Sequence, residues 1–237
     1  MKHVESLFFG RNNHLFGMYH PATGNRRNHD VVICAPLFHE YYRSHYAIKR
    51  IAVELASKGY DVLRFDYSGM GDSLGELPRD LFNTWSSEIG EAMTEIRELS
   101  GCRGTTLITL RFGASLALPW QDKADRYICW DAIPDHRDYA GQLDKTNSAV
   151  LAEHATLTAE ENTRHTMDDF LGTGLSRTSV SHALAEFAAR SDVEWRDNSS
   201  ARALEVQSDT DWVSASLKRI YAHETVSQVV DALQANP

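Results

Sequence analysis

The sequence predicts an α/β fold: a mostly parallel, doubly wound sheet with an N-terminal hairpin and a helical cap insertion. Three observations lead there. Short strand-like runs recur, VVICAP (Val31–Pro36), DVLRFDY (Asp61–Tyr67), TTLITL (Thr105–Leu110) and RYICWDAI (Arg126–Ile133), and the first is a continuous apolar run of the kind that a strand buried on both faces shows. Segments with helical patterning lie between them. Strand and helix therefore alternate, the signature of a parallel sheet covered on both faces.

At the N-terminus, Glu5–Phe9 and Leu15–Tyr19 flank a Gly-Arg-Asn-Asn turn and predict a hairpin. Pro21–Asp30 reads as a loop before the first parallel strand. From Ser44 to Lys58, Ala47, Ile48, Ile51, Ala52 and Leu55 recur at helical spacing, and Gly59 stands where a helix-ending glycine belongs. The second strand runs into the glycine-dense turn SGMGDS, and Asp80–Leu99 is a long helix closing near Gly101. A further helix follows Gly113. The rhythm breaks over residues 135–197, where a helix over Ala149–Glu161 and one N-capped by Ser176 and running to about Arg190 predict a cap insertion. Ala201–Asp209 resumes the sheet, and Val226–Leu233 reads as a closing helix. The whole chain, 1–237, reads as one domain.

Composition narrows the function. The chain is 42% hydrophobic and 10% aromatic, ordinary for a protein with a real core, and its formal charge of −9 argues against nucleic-acid binding. Cys34, Cys102 and Cys129 lack CxxC spacing, so neither a disulfide framework nor a zinc site is expected. No run of ~18 apolar residues is present, and a soluble, cytoplasmic protein without membrane partners is the expectation. His39-Glu40 resembles the start of H-E-x-x-H, but position 43 is Arg; no metal or cofactor is expected.

The segment LITLRFGASLAL (Leu107–Leu118) passes from a strand through a small-residue turn into a helix. With the elements above, it resembles the α/β-hydrolase fold, whose pattern here is strand, G-x-S-x-G, helix. Thr109 falls at the first glycine, Arg111 at the nucleophile and Gly113 at the last glycine. PLFHEYYRSHYAIKRIAVELASKGYDVLRFDYSGMGDS (Pro36–Ser73), an L-R-x-G-A elbow and the Trp130-Asp131 pair resemble a serine-aminopeptidase-like subgroup. Members of that subgroup accompany exosortase and polyketide genes. The resemblance covers Val4–Ile133 well and fades through DDFLGTGLS.

The resemblance implies an esterase- or thioesterase-like protein acting on an acyl intermediate of a biosynthetic pathway. It implies an oxyanion hole from the N–H groups of Leu37 and Phe112; beside them His39 and Glu40 are binding candidates, and Glu40 and Arg43 read as cleft-rim or ion-pair groups. It places a triad acid at Asp131 or at Asp209 or Asp211, with His223 the one histidine following in order. Asp66 and Ser73 match structural positions.

Arginine changes the chemistry at the elbow. A guanidinium has no acceptor lone pair and can neither attack a carbonyl nor relay a proton. It also places a cation at a helix N-terminus, where the dipole favours anions. Arg111 therefore needs a carboxylate, and Glu40, Asp66, Asp131 and Asp209 are the candidates. It is either a buried strut or a clamp for an anionic substrate group. A shifted register, Gly113-Ala114-Ser115-Leu116-Ala117, would make Ser115 the nucleophile instead. Three functions stay open: acyl hydrolysis; a nonhydrolytic cleft for metabolite binding, epimerisation or cyclisation; and a structural partner of a biosynthetic enzyme. The substrate would be a small-molecule or carrier-bound acyl compound.

Overall fold

The computed structural model describes residues 3–133, 135–157, 175–190, 203–212, 220 and 223–234. Its strands are β1 (Glu5–Phe9), β2 (Leu15–His20), β3 (His29–Cys34), β4 (Asp61–Phe65), β5 (Gly104–Leu110), β6 (Arg126–Trp130) and β7 (Ala203–Val206). They form a 7-stranded sheet in the order β1-β2-β4-β3-β5-β6-β7. β1 pairs antiparallel with β2 and β2 with β4, and every later pairing is parallel. This is the mostly parallel doubly wound sheet with an N-terminal hairpin that the sequence predicts.

The helices are α1 (Phe38–Ser57), α2 (Leu81–Ser100), α3 (Gly113–Ala117), α4 (His136–Leu157), α5 (Arg177–Arg190) and α6 (His223–Gln234). α1 and α6 pack together on one side, against β4 and against β6 and β7, while α2 and α3 pack on β3, β4 and β5. β3 owes its central place to Val31, Val32, Ile33 and Cys34, all 0% exposed.

Two helices start earlier than their apolar periodicity suggests. α1 begins at Phe38 rather than Ser44, because its first turns bury His39, Glu40, Arg43 and Ser44, which carry no apolar signal. α4 begins at His136 rather than Ala149, with Tyr139 and Leu143 buried one turn apart. α5 agrees with its predicted cap: the Ser179 N–H donates to Ser176 Oγ at 3.1 Å. α4 and α5 lie between β6 and β7, where the cap insertion was expected. Part of the predicted cap, including the DDFLGTG portion of DDFLGTGLS (168–174), lies outside the described residues. Phe82 of α2, Phe112, Tyr139 of α4 and Phe187 of α5 join cap and body, with the Phe112 and Tyr139 rings stacked at 4.5 Å.

Gly113 sets how closely α3 approaches β3. A Cβ there would stand 2.7 Å from the Ala35 carbonyl oxygen and 3.0 Å from that of Cys34. Both obstacles are backbone, so neither can rotate aside. Gly113→Ala is expected to cost about 1–3 kcal/mol, the usual price of overpacking. Thermal unfolding followed by circular dichroism should show a midpoint lower by roughly 2–4 °C per kcal/mol; an unchanged midpoint would show that the α3 turn can shift freely.

Candidate functional site

A parallel sheet that reverses its winding leaves a crevice beyond the carboxyl ends of its strands, at the point of reversal. Here that point is the β3/β5 pair. Beyond the carboxyl ends of the parallel strands, three residues other than glycine take left-handed backbone: Phe38 after β3 (φ 52°), Arg111 after β5 (φ 55°) and Asp131 after β6 (φ 47°). Such conformations cost of order 1–3 kcal/mol each and persist where the surroundings over-determine them.

Arg111 holds the bend between β5 and α3. Its N–H donates to the Trp130 carbonyl at 3.0 Å, and its own carbonyl accepts from the Ala114 N–H at 3.1 Å. The side chain is buried, and Nε donates to Glu40 Oε1 at 3.0 Å. Nη1 donates to the Asp131 carbonyl at 3.2 Å, and Nη2 to Gln142 Oε1. The guanidinium lies 5.1 Å from the centre of the Trp212 ring. Of the four acids expected as partners, the ion pair goes to Glu40.

The others lie elsewhere. Asp131 supplies its carbonyl to Arg111, while its carboxylate accepts from the Ser208 N–H at 2.6 Å, from the Ser208 hydroxyl, and from Trp212 Nε1 at 2.8 Å. Asp66 accepts from the Tyr41 hydroxyl at 2.6 Å and from the Asp72 N–H at 3.0 Å. Asp209 and Asp211 are exposed past the end of β7.

His223 opens α6, and its Nδ1 meets the Arg50 guanidinium from α1. It is not among the partners of Arg111. Ser115 lies inside α3 and donates to the Ile133 carbonyl at 2.9 Å. The left-handed residue at the bend is Arg111, not Ser115. Leu37 and Phe112, expected to provide oxyanion donors, precede α1 and α3 respectively, and both are buried. His39 and Glu40 occupy the first turn of α1, also buried. Sequence reasoning did not find Tyr139, Gln142 or Trp212; a helix beginning at His136 would have placed the first two on one face.

The charges are finely set. Burial pushes the Glu40 carboxyl up to about 7, with the Arg111 guanidinium pulling the other way. Burial also raises the Tyr139 phenol well above its ordinary value; Glu40 adds to this and Arg111 opposes it. Among the described residues no group of three His, Cys, Asp or Glu could hold a metal ion. No helix among them is long and apolar enough to cross a membrane.

No family profile matches the chain, and none of the curated proteins does. Solved structures do. A serine hydrolase without lid from Xanthomonas campestris is 13% identical, with 98% of this chain and 92% of that one covered and a TM-score of 0.54. DcsB in complex with its substrate analogue is 12% identical over 99% of both chains, with a TM-score of 0.56. The bottromycin epimerase BotH, in complex with bottromycin A2, is 14% identical over 100% of both chains, with a TM-score of 0.54. With the strand order and the left-handed bend after β5, these likenesses establish that the chain has the α/β-hydrolase fold.

Proposed function

We propose that this chain is a noncovalent member of the fold. Its cleft takes an acyl-bearing biosynthetic intermediate, free or carrier-bound, and acts on it without a serine acyl-enzyme. The observation that carries the reading is Arg111 at the left-handed bend, its guanidinium paired with Glu40. The bend presents its side chain where acyl transfer needs an attacking oxygen. A guanidinium supplies none. The histidine in triad order engages Arg50, so the imidazole base that a hydroxyl at the bend would need is held away from it. The likeness to an epimerase structure supports a nonhydrolytic reading. The likeness to a serine hydrolase speaks to the fold rather than to the reaction.

Arg111 is better described as a positioning group than as a free anion clamp. Three of its five N–H groups donate within the protein, to Glu40, Asp131 and Gln142. One N–H on each Nη is left to meet an anionic group on a substrate.

Two tests follow from this reading. Incubation with a fluorophosphonate probe is expected to leave every serine unmodified by intact-mass spectrometry; a stoichiometric adduct on Ser115 or any other serine would sink the proposal. The second concerns the ion pair. Glu40 is held above its unfolded pKa, so its contribution to stability is full below about 4.5 and is lost as pH rises through about 7. Arg111→Ala removes the opposing cation, raises that carboxyl further and steepens the loss. Urea denaturation should therefore show a small penalty for the variant at pH 5 and one of about 3 kcal/mol at pH 8, the scale for breaking a buried pair. Adding Glu40→Gln should remove most of the pH dependence of that penalty; a penalty equal at both pH values would contradict the pairing.

A further inference from the structure

The ion pair uses only half of its carboxylate. Glu40 Oε1 accepts from Arg111, but Oε2 is buried and has no hydrogen-bond partner. The hydroxyl of Tyr139, 0% exposed, has none either. Tyr139 and Gln142 lie one turn apart on α4, and Gln142 accepts from Arg111, so this face of the cap helix meets the bend. The Tyr139 ring is fixed flat on Phe112, 5° from parallel. Glu40 and Arg111 are the charges acting on its phenol.

An unmet acceptor and an unmet donor thus sit beside one buried ion pair, at strand ends where Phe38, Arg111 and Asp131 are strained. A bare buried polar atom destabilises the fold, because it has given up water without gaining a partner. Folded proteins leave few of them, and those that remain call for an explanation such as a catalytic role. A ligand offering one acidic hydrogen and one acceptor oxygen would satisfy both atoms at once.

We infer that Glu40 and Tyr139 form a proton-transfer pair for a carbonyl compound bearing a hydrogen on the carbon next to the carbonyl. This rests on the noncovalent reading above and specifies its chemistry. The Glu40 carboxylate takes the hydrogen as a proton through Oε2. The C–H electron pair becomes the new C=C bond, and the carbonyl π pair moves onto oxygen. That enolate oxygen accepts a hydrogen bond from the Tyr139 hydroxyl. Glu40, now a carboxylic acid, returns its proton to the carbon, and the enolate electrons restore the carbonyl. Nothing is oxidised and no group leaves; the Glu40 proton exchanges with solvent between the two steps, and because one base works from one face, the outcome is exchange of that hydrogen with retention at the carbon.

The surroundings suit these roles. With Glu40 pushed up to about 7 by burial, both its forms are populated at neutral pH, as a group that takes and returns a proton requires. The raised Tyr139 phenol stays protonated and acts as a donor. Arg111 fixes Oε1 and leaves Oε2 to the substrate, so it is a positioning residue.

The test uses the N-acetylcysteamine thioester of (S)-2-methylbutyric acid in D2O. The α-hydrogen is followed by proton NMR, binding by saturation-transfer NMR. The full chain is expected to exchange that hydrogen well above the buffer rate. Glu40→Gln should lose about 100-fold or more, the scale of general base catalysis, and Tyr139→Phe at least about 10-fold. Tyr139→Phe removes a bare hydroxyl, so its thermal midpoint should hold or rise, which separates lost chemistry from lost folding. Exchange no faster than buffer with the probe bound, or undiminished in both variants, overturns this inference and leaves the noncovalent reading standing. Absence of binding overturns both, and a serine adduct with the fluorophosphonate overturns the noncovalent reading first.

Discussion

The end of the sheet is organised around one buried cation. A guanidinium held out of water must be paired and hydrogen-bonded, because the desolvation of an ion costs several kcal/mol. Arg111 meets that demand from four separate segments: Glu40 from the first turn of α1, the Asp131 carbonyl after β6, Gln142 from α4 and the Trp212 ring beyond β7. The α1 N-terminus also favours a carboxylate in its first turn, so Glu40 is supported by its own helix while it neutralises Arg111. Trp212 ties the cluster together, since its Nε1 donates to Asp131 and its carbonyl accepts from Arg43 Nη1.

The strain at the strand ends is intelligible once that cation is in place. The left-handed backbone at Arg111 turns the chain from β5 directly into α3. At Asp131 the same conformation lets the carbonyl face Arg111 while the carboxylate turns to Ser208 and Trp212. At Phe38 it starts α1 so that Glu40 lies within reach of the bend, and the Phe38 ring is braced against Trp85 at 5.7 Å. Each conformation is unfavourable alone; ion pair, hydrogen bonds and ring contacts hold the set together.

Much of the architecture was legible in the sequence because burial on both faces imposes its own pattern. Strand β3 had to be apolar throughout, and right-handed crossovers then restrict the order of parallel strands. The first turns of α1 and the first half of α4 were not legible, for a common reason: they bury polar side chains. His39, Glu40 and Arg43 in one, and Thr146 and Asn147 in the other, are buried without contributing to an apolar period. The position of Arg111 could be read from the strand-turn-helix pattern. Its partner could not, because four acids stood near strand ends and only their three-dimensional placement chooses among them. Gln142 and Trp212 come from segments remote in sequence that chain folding alone brings to the bend.

The carboxylates of this protein separate into kinds by how many of their oxygens are used. Asp61 accepts from Tyr19 and the Ala22 N–H on one oxygen and from Arg26 on the other. Burial alone would push its carboxyl up, yet these bonds hold it below the usual range. Asp66 and Asp131 likewise engage both oxygens. Asp30 and Glu88 each leave an oxygen bare, but Asp30 stands at the opposite end of β3 and Glu88 has His14 Nε2 at 3.5 Å. Glu40 differs from all of these. It is paired with a buried arginine, it still rises to about 7, and its free oxygen stands among strained strand ends with the bare hydroxyl of Tyr139. A pair selected for stability alone would gain by filling that second oxygen from within, as Asp61 does. Leaving it bare, on a carboxyl close to its proton-transfer midpoint, is what the proton-transfer role proposed for Glu40 requires.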